Sequence, residues 1–272
     1  MTIAAANPAV LLSSFASPVP ALESLASEDR SPSTTPSLSS SRLWTLLADR
    51  PVADDCGGLR KQLEKCGTNF NPDLLVCEAE RRARLESVYF LLDEADSFVF
   101  LDTEATGNCN GRLIEAALLE TDTQEQIVGG LHFRCNPHRR SSSTARRVHG
   151  ILDCELEHCR EFAAHADDLL DAVRGKVVVI HDRTMDLRWL NRELELARPG
   201  APRFEEICTV VDTLVLAKAI PSERRRNGLD ALLDWYGLPH ASGRHGAYGD
   251  ANMLSKVFFE LWWDLDEYLF GN

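Results

Sequence analysis

Two carboxylates follow a short apolar run near the middle of the chain. Residues 98–101 read FVFL, and Asp102 and Glu104 come directly after them, separated by Thr103. If the run is a strand, alternate residues point to the same face, so the two carboxylates lie side by side. Like charges that close repel each other unless a cation lies between them. The pair is compatible with a solvated acidic turn, and it becomes a divalent metal site if other segments supply further ligands.

Suitable residues do occur later in the chain. Asp186 opens a helix-like segment shortly after the apolar run at 177–180, and His245 and Asp250 bracket a glycine-containing turn before the last helix. Oxygen ligands suit Mg²⁺ or Mn²⁺, and two such ions about 3.5–4 Å apart can hold the attacking and leaving oxygens of a phosphodiester. A histidine can take the proton from the attacking water because its pKa lies near neutrality.

The segments around these residues predict an α/β fold. Short apolar or β-branched runs indicate strands, and apolar residues at helical spacing indicate helices. The predicted strands cover 97–102, 112–120, 126–135, 175–181 and 205–213, and the predicted helices cover 154–173, 185–197 and 248–269. This order predicts a mixed sheet of about five strands flanked by helices.

Composition divides the chain into three parts. Residues 1–45 are rich in Ser and Pro and are predicted to be a disordered tail, residues 46–95 are predicted to form a helical extension, and residues 96–272 contain all of the candidate site. The net charge of −13 argues against a broad basic surface for nucleic acid, although phosphate can still be held through metal ions. No apolar run approaches about 18 residues, so no membrane span is expected.

The cysteines bear on the cellular location. Eight cysteines without a CxxC pair indicate reduced thiols, and we therefore expect a cytoplasmic protein. The first residues lack the basic segment that begins a signal peptide. A secreted effector, exported through its Ser/Pro-rich start, is the alternative.

Taken in order, the motifs resemble those of the DEDDh exonucleases, and specifically the DnaQ group that includes the proofreading epsilon subunit of bacterial DNA polymerase III. The segments DTEATG (102–107), IHDRTMDLRWLNREL (180–194) and HGAYGDA (245–251) are similar to the first, second and third motifs of that family. Two supporting stretches, VHGILD (148–153) and residues 211–238, also match. A DxE pair or an H-x4-D spacing alone is weak, but the order of all these segments over roughly 96–262 is specific.

The resemblance implies an RNase H-like fold and a 3′→5′ exonuclease that uses two divalent metal ions, Mg²⁺ or Mn²⁺, to release 5′-mononucleotides from the 3′ end of DNA. Asp102 would bridge both metals, Glu104 and Asp250 would complete the tighter site, and Asp186 would serve the second, in part through water. His245 would be the general base.

The resemblance also implies residues that contact the substrate. Thr103, Ala105 and Thr106 would lie beside the terminal nucleotide, and His181 would shape the cleft. Ala105 stands where the family usually has threonine, and Asp182 where it usually has asparagine. Neither departure removes a metal ligand or the base, but both put the rate and the substrate preference in question.

Two other functions stay open. One is an RNase T-like or oligoribonuclease-like enzyme that acts on RNA 3′ ends, since the choice turns on contacts to the 2′-OH. The other is a catalytically weak nucleic-acid-binding module. Binding to a polymerase or sliding clamp is not expected, because only 22 residues follow Asp250 and none resembles a clamp-binding segment.

Several other polar or aromatic residues have simpler interpretations. A zinc site is disfavoured because three of its four candidate ligands fall on one predicted helix; the four are His149, Cys154, His158 and Cys159. Two basic clusters, the first at Arg139, Arg140, Arg146 and Arg147 and the second at 224–226, are read as solvated loops or as contacts to strand phosphates. The tryptophans at 235, 262 and 263 are expected in the core or at an interface.

Overall fold

The computed structural model describes residues 72–108, 110–240 and 246–271, with 72–77 described by backbone alone. The predicted tail at 1–45, the first part of the predicted helical extension and His245 lie outside these residues. The strands are β1 (Ser97–Ala105), β2 (Leu113–Asp122), β3 (Ile127–Arg134), β4 (Val177–Ile180) and β5 (Thr209–Asp212). The helices are α1 (Pro72–Asp93), α2 (Ser143–His149), α3 (Asp153–Leu156), α4 (Ala166–Val173), α5 (Thr184–Ala197), α6 (Phe204–Ile207), α7 (Thr213–Ala219), α8 (Leu229–Tyr236) and α9 (Ala247–Phe270).

The five strands form one mixed sheet in the order β3-β2-β1-β4-β5. β1 pairs antiparallel with β2 and parallel with β4, and β5 continues the parallel part. The predicted mixed α/β sheet is confirmed. β1 is therefore the central strand. The residues that follow its apolar run lie at its carboxyl end, between the ends of β2 and β4.

Both faces of β1 are covered, which explains its uninterrupted apolar run. Phe98 and Phe100 point toward α9 and pack on Phe258, with ring centroids 4.9 and 5.4 Å apart. Val99 and Leu101 point the other way, into a second core that includes residues of α4 and α5. Because alternate residues share a face, Asp102 and Glu104 continue the α9 face, whereas Thr103 continues the α5 face.

A helix is present in the described part of the predicted helical extension. α1 packs on the α9 core through Leu85, Val88 and Leu92, which are almost completely buried. Among the described helices, none combines the length and the apolar character that crossing a membrane requires.

Two predicted elements were wrong in detail. The predicted helix at 154–173 is divided into α3, a 3₁₀ turn at Phe162–Ala164, and α4. It breaks because Leu156 packs into a small cluster with Ile114 and Ile151, while Phe162 packs into the core beneath α4 and α5. The predicted strand at 205–213 begins only at Thr209, since Phe204 is fully buried at the start of the one-turn helix α6.

Candidate active site at the end of strand β1

Three carboxylates meet where β1 ends. One oxygen from each of Asp102, Glu104 and Asp250 lies within 4.8 Å of the other two. Within the described part of the chain, they form the one group of three or more His, Cys, Asp or Glu side chains with this spacing. Asp102 and Glu104 come from β1 and Asp250 from the first turn of α9, so the group joins residues almost 150 positions apart in sequence.

Small residues bring α9 close enough to the sheet to complete this group. Gly246, Ala247, Gly249 and Ala251 surround Asp250, and both alanines are fully buried. A larger side chain at either alanine would separate the helix from the strands. The local sequence GAYGDA therefore places a carboxylate in the first turn of α9, next to the acids at the end of β1.

The electrostatics of the group are unfavourable without a cation. Burial, then the charges of Asp250 and Glu115, raises the pKa of Glu104 to about 8. Burial of its carboxylate, then the charges of Asp186, Glu104 and Asp250, raises the pKa of Asp102 well above its usual range. Carboxylates held together in this way are stabilised in their ionised form by a divalent cation. An all-oxygen donor set of this kind fits Mg²⁺ or Mn²⁺.

Asp186 lies beside this group but is not a member of it. It is buried in the first turn of α5, and the Thr103 hydroxyl donates a hydrogen bond of 2.6 Å to its Oδ1. Burial raises the pKa of Asp186 to about 7, against the opposing effect of the Thr103 hydrogen bond. The structure thus places Asp186 next to Asp102 on the α5 side of β1.

The residues expected at the terminal nucleotide have specific positions. The hydroxyl of Thr103 is buried and already bound to Asp186. Ala105 is buried, and the Thr106 hydroxyl accepts a hydrogen bond of 3.0 Å from the Arg112 amide. Thr106 also lines a cavity of about 570 Å³ together with Gly107, Asn108, Asn110, Gly111, Arg139, Arg140, Ser142 and Thr144. The substrate contacts of these three residues stay predictions.

His181 points away from the three-acid group. It follows β4, and its Nδ1 shares a hydrogen bond of 2.9 Å with the Thr213 hydroxyl at the end of β5. Burial lowers its pKa, which favours the neutral ring. Asp182 adopts a left-handed backbone (φ 57°), and its amide donates to Asp212 at 3.2 Å. His245, the expected base, lies outside the described residues.

One residue of this region was not predicted from the sequence. Glu115 is only 1% exposed in β2, directly opposite Glu104. It accepts hydrogen bonds from Arg134 Nε at 2.8 Å, from His132 Nε2 at 3.1 Å, and from the Ala247 amide of α9 at 2.9 Å. Burial alone would raise its pKa, but these donors outweigh that effect and hold the pKa below its usual range. The sequence feature that could have indicated Glu115 is that it is the single acid inside the apolar run LIEAALL (113–119).

The basic clusters differ in their surroundings. Arg139 and Arg140 are exposed and line the cavity next to Thr106. Arg146 and Arg147 are exposed on α2, where Arg146 lies 3.6 Å from Asp153. The solvated-loop interpretation is wrong for Arg224, whose buried guanidinium binds Asp264 Oδ2 at 2.7 Å and also contacts the Tyr236 hydroxyl. Arg225 and Arg226 are exposed.

The remaining motif residues do not form a second site among the described residues. His149, Cys154, His158 and Cys159 form no group with metal-ligand spacing there. Trp262 packs on Phe98 in the core, with ring centroids 5.3 Å apart. Trp235 and Trp263 are 51% and 74% exposed.

The chain is similar to known exonucleases and to DNA polymerase III epsilon subunits. The exonuclease family RNase_T matches residues 99–258. The DNA polymerase III subunit epsilon of Rickettsia conorii is 34% identical over 168 residues, which cover 60% of this chain and 72% of that protein. The corresponding subunit of Escherichia coli K12 is 33% identical over 172 residues, which cover 60% of this chain and 70% of the relative.

Solved structures show the same fold. The zinc-bound form of the E. coli exonuclease I complex with single-stranded DNA superposes with a TM-score of 0.53 at 19% identity. The match covers 64% of this chain and 41% of exonuclease I, so the chain spans about two fifths of that protein's length.

Proposed function

Because the chain belongs to the RNase_T exonuclease family and is a DnaQ-like 3′→5′ exonuclease, we propose that it removes nucleotides from the 3′ end of single-stranded DNA as 5′-mononucleotides. The observation that carries this proposal is the meeting of Asp102, Glu104 and Asp250 within 4.8 Å at the end of the central strand. Three carboxylates this close together, two of them with a raised pKa, would be unfavourable in a purely structural role, and they suit a centre that holds cations.

The residues of the site have distinct tasks in this reaction. Asp102, Glu104 and Asp250 would hold one divalent ion, and Asp102 and Asp186 would hold the second. When bound, the two ions stabilise the charge that develops on the attacking and leaving oxygens of the phosphodiester. The Thr103 hydroxyl fixes the carboxylate of Asp186 by its hydrogen bond of 2.6 Å.

The chemical step is hydrolysis. A water oxygen attacks the terminal phosphorus and gives a proton to His245, while the bond from phosphorus to the O3′ of the preceding nucleotide breaks. That O3′ takes a proton from solvent and becomes the new 3′ end. The phosphate stays bonded to the 5′ oxygen of the terminal nucleotide, so the product is a 5′-mononucleotide.

The choice of DNA over RNA is supported by the relatives. The epsilon subunits carry DNA polymerase in their names, and the exonuclease I complexes contain single-stranded DNA. An RNA-specific enzyme would instead need a donor or acceptor that binds the 2′-OH.

End-labelled strands test both direction and substrate. Single-stranded DNA and RNA of one sequence, each labelled at the 5′ or the 3′ end, are digested with Mg²⁺, Mn²⁺ or EDTA. We expect the 3′ label to be released at once as a mononucleotide, the 5′-labelled strand to shorten stepwise, and DNA to be degraded faster than RNA. Faster degradation of RNA than of DNA would indicate an exoribonuclease. If neither polymer were degraded with either metal, the chain would be a nucleic-acid-binding module without exonuclease activity.

The cysteines support a reducing compartment for this enzyme. Cys135, Cys154, Cys159 and Cys208 are free thiols, and burial raises the pKa of Cys135 and Cys208 to about 12. Thiols of this kind are unreactive at neutral pH. A cytoplasmic location is therefore part of the proposal.

A further inference from the structure

We propose that Glu115 is a positioning residue, which fixes the first turn of α9 and thereby holds Asp250 against the two carboxylates of β1. The proposal rests on the proposed function only for the consequence that metal binding depends on this alignment. Its structural part, the anchoring of the helix, stands on the contacts of Glu115 alone.

Glu115 lies opposite Glu104 in the antiparallel register of β1 and β2. Ala117 and Leu119, which share its face of β2, pack in the core beneath α9. Glu115 therefore points toward α9 from the strand next to the one that carries Asp102 and Glu104.

Glu115 also contacts the first turn of α9. Glu115 Oε2 accepts a hydrogen bond of 2.9 Å from the Ala247 amide, the first of α9. The first four amides of a helix have no partner within the helix, and the residue before α9, Gly246, has no side chain to supply one. Glu115 thus caps α9 from another element, and its negative charge is favourable at the positive end of the helix dipole.

Gly246 lies beside this contact. A Cβ atom at this position would lie 3.4 Å from Glu115 Oε2, at the near limit of ordinary van der Waals contact. Gly246 also lies four residues before Asp250, whose amide donates to the Gly246 carbonyl at 3.2 Å.

Two basic side chains compensate the charge on the other oxygen of Glu115. Glu115 Oε1 accepts from Arg134 Nε at 2.8 Å and from His132 Nε2 at 3.1 Å. Arg134 is directly opposite Glu115 in β3 and also binds Glu155 at 3.1 Å. The two donors fix the direction of the carboxylate and stabilise its charge beside three other acids. Without them, a fourth carboxylate at this place would be expelled or protonated.

The alternative is that Glu115 is only a stabilising buried ion pair. Glu193 provides a matched control of that kind. It is 2% exposed, binds Arg112 through two hydrogen bonds of 2.5 and 2.9 Å, and accepts from the Leu113 amide at 3.2 Å. It thus has the same chemistry as Glu115, including a captured backbone amide, but it joins α5 to β2 and not to α9.

The experiment compares Glu115→Gln, Glu115→Ala and Glu193→Gln in the full chain. Backbone amide hydrogen exchange is measured without metal, and Mn²⁺ alone is then titrated by calorimetry. We expect amides 247–250 to exchange about tenfold faster in Glu115→Ala relative to the far end of α9, because one charged hydrogen bond is lost. Mn²⁺ affinity should fall about tenfold in the same variant, by the loss of alignment.

The two other variants separate positioning from stability. Glu115→Gln keeps an oxygen that can accept from the Ala247 amide. The exchange rates of amides 247–250 in this variant should therefore lie between those of the wild type and those of Glu115→Ala. Glu193→Gln should lower overall stability while changing the relative exchange of 247–250 and the Mn²⁺ affinity less than about twofold. Equal effects of Glu115→Ala and Glu193→Gln on α9 exchange would overturn the proposal.

The readouts also distinguish this proposal from the proposed function. If the wild type binds no Mn²⁺, the metal-dependent exonuclease fails, whereas the exchange data still decide whether Glu115 anchors α9. If the wild type binds Mn²⁺ and Glu115→Ala has faster exchange at 247–250 with unchanged Mn²⁺ affinity, the link to Asp250 is refuted.

Discussion

Burial and mutual repulsion act on the same side chains at the end of β1. The carboxylates of Asp102 and Glu104 are ionised less readily than free acids, yet ligation of a metal requires them ionised. A divalent cation at this site would offset the repulsion and favour the ionised form of both carboxylates. Two consequences at the residue scale can be measured.

The first consequence is that metal affinity increases with pH. Below its pKa of about 8, Glu104 must lose a proton when the ion binds. We expect Mn²⁺ affinity to rise up to about tenfold per pH unit between pH 6 and 8 for each proton displaced, and to level off above that range. Calorimetry in two buffers of different ionisation enthalpy would count the protons. An affinity independent of pH would contradict the assignment of Glu104 as a ligand.

Whereas metal affinity should rise with pH, the stability of the metal-free protein should fall as the pH rises. Burial and the neighbouring charges raise the folded-state pKa of Glu104 above the ordinary value of 4.5 that it has in the unfolded chain. Its contribution to stability is therefore complete below about pH 4.5 and is lost as the pH rises toward 8. Melting curves with EDTA should show this decline, and Mn²⁺ should stabilise the protein most at the high end of the range.

The second consequence concerns Asp102 itself. Asp102→Asn should lower exonuclease activity by about 10³-fold or more, because the carboxylate that we propose would hold both ions loses its charge. The same change should raise the melting temperature of the metal-free protein at pH 8, because one of several neighbouring carboxylates is neutralised. Activity and melting are measured on one preparation. A variant that is both inactive and less stable would indicate that Asp102 has a structural role instead.

At the scale of elements, the α8–α9 contact depends on a buried polar network. Arg224 contacts Asp264 and Tyr236 and also donates to the Ala217 carbonyl at 3.3 Å, which connects the loop after α7 to both helices. We expect Arg224→Ala to lower the free energy of unfolding by about 2–3 kcal/mol, less than for a fully buried pair because Asp264 is partly exposed. Urea unfolding measures it.

Arg225→Ala is the control for that change. Arg225 is exposed, so its removal should alter the free energy of unfolding by less than about 0.5 kcal/mol. If the two variants were equally stable, the buried network would not contribute as described.

The elements also show what the sequence could and could not predict. The strands around Asp102 were predictable because both faces of β1 are buried and the apolar run is continuous. The break in the predicted helix at 154–173 could not be predicted, because it depends on Leu156 and Phe162 packing into two different hydrophobic clusters. Asp102, Glu104 and Asp250 could be chosen from motif order, whereas Glu115 could not, because its partners lie on β3 and α9.

At the scale of the whole molecule, a net charge of −13 must be reconciled with binding to a polyanion. The exposed arginines beside the cavity at Thr106 offer local positive charge. We expect Arg139→Ala with Arg140→Ala to raise the KM for single-stranded DNA several-fold with little change in kcat. The slope of log affinity against log salt should decrease by about one for each phosphate contact removed.

Steady-state kinetics at several salt concentrations would make that measurement. Arg174→Ala, on an exposed arginine after α4, serves as the control. An unchanged KM and salt slope in the double variant would mean that the strand follows another path from the site.

The central claim is that the acids at the end of β1 form a centre for two divalent ions. Titration of Mn²⁺ into the wild type and into Asp102→Asn at pH 8, followed by electron paramagnetic resonance, tests it most directly. We predict two bound ions per wild-type chain, with magnetic coupling between them, and neither coupling nor a second tightly bound ion in Asp102→Asn. Equal stoichiometry and affinity in the two proteins would contradict the account.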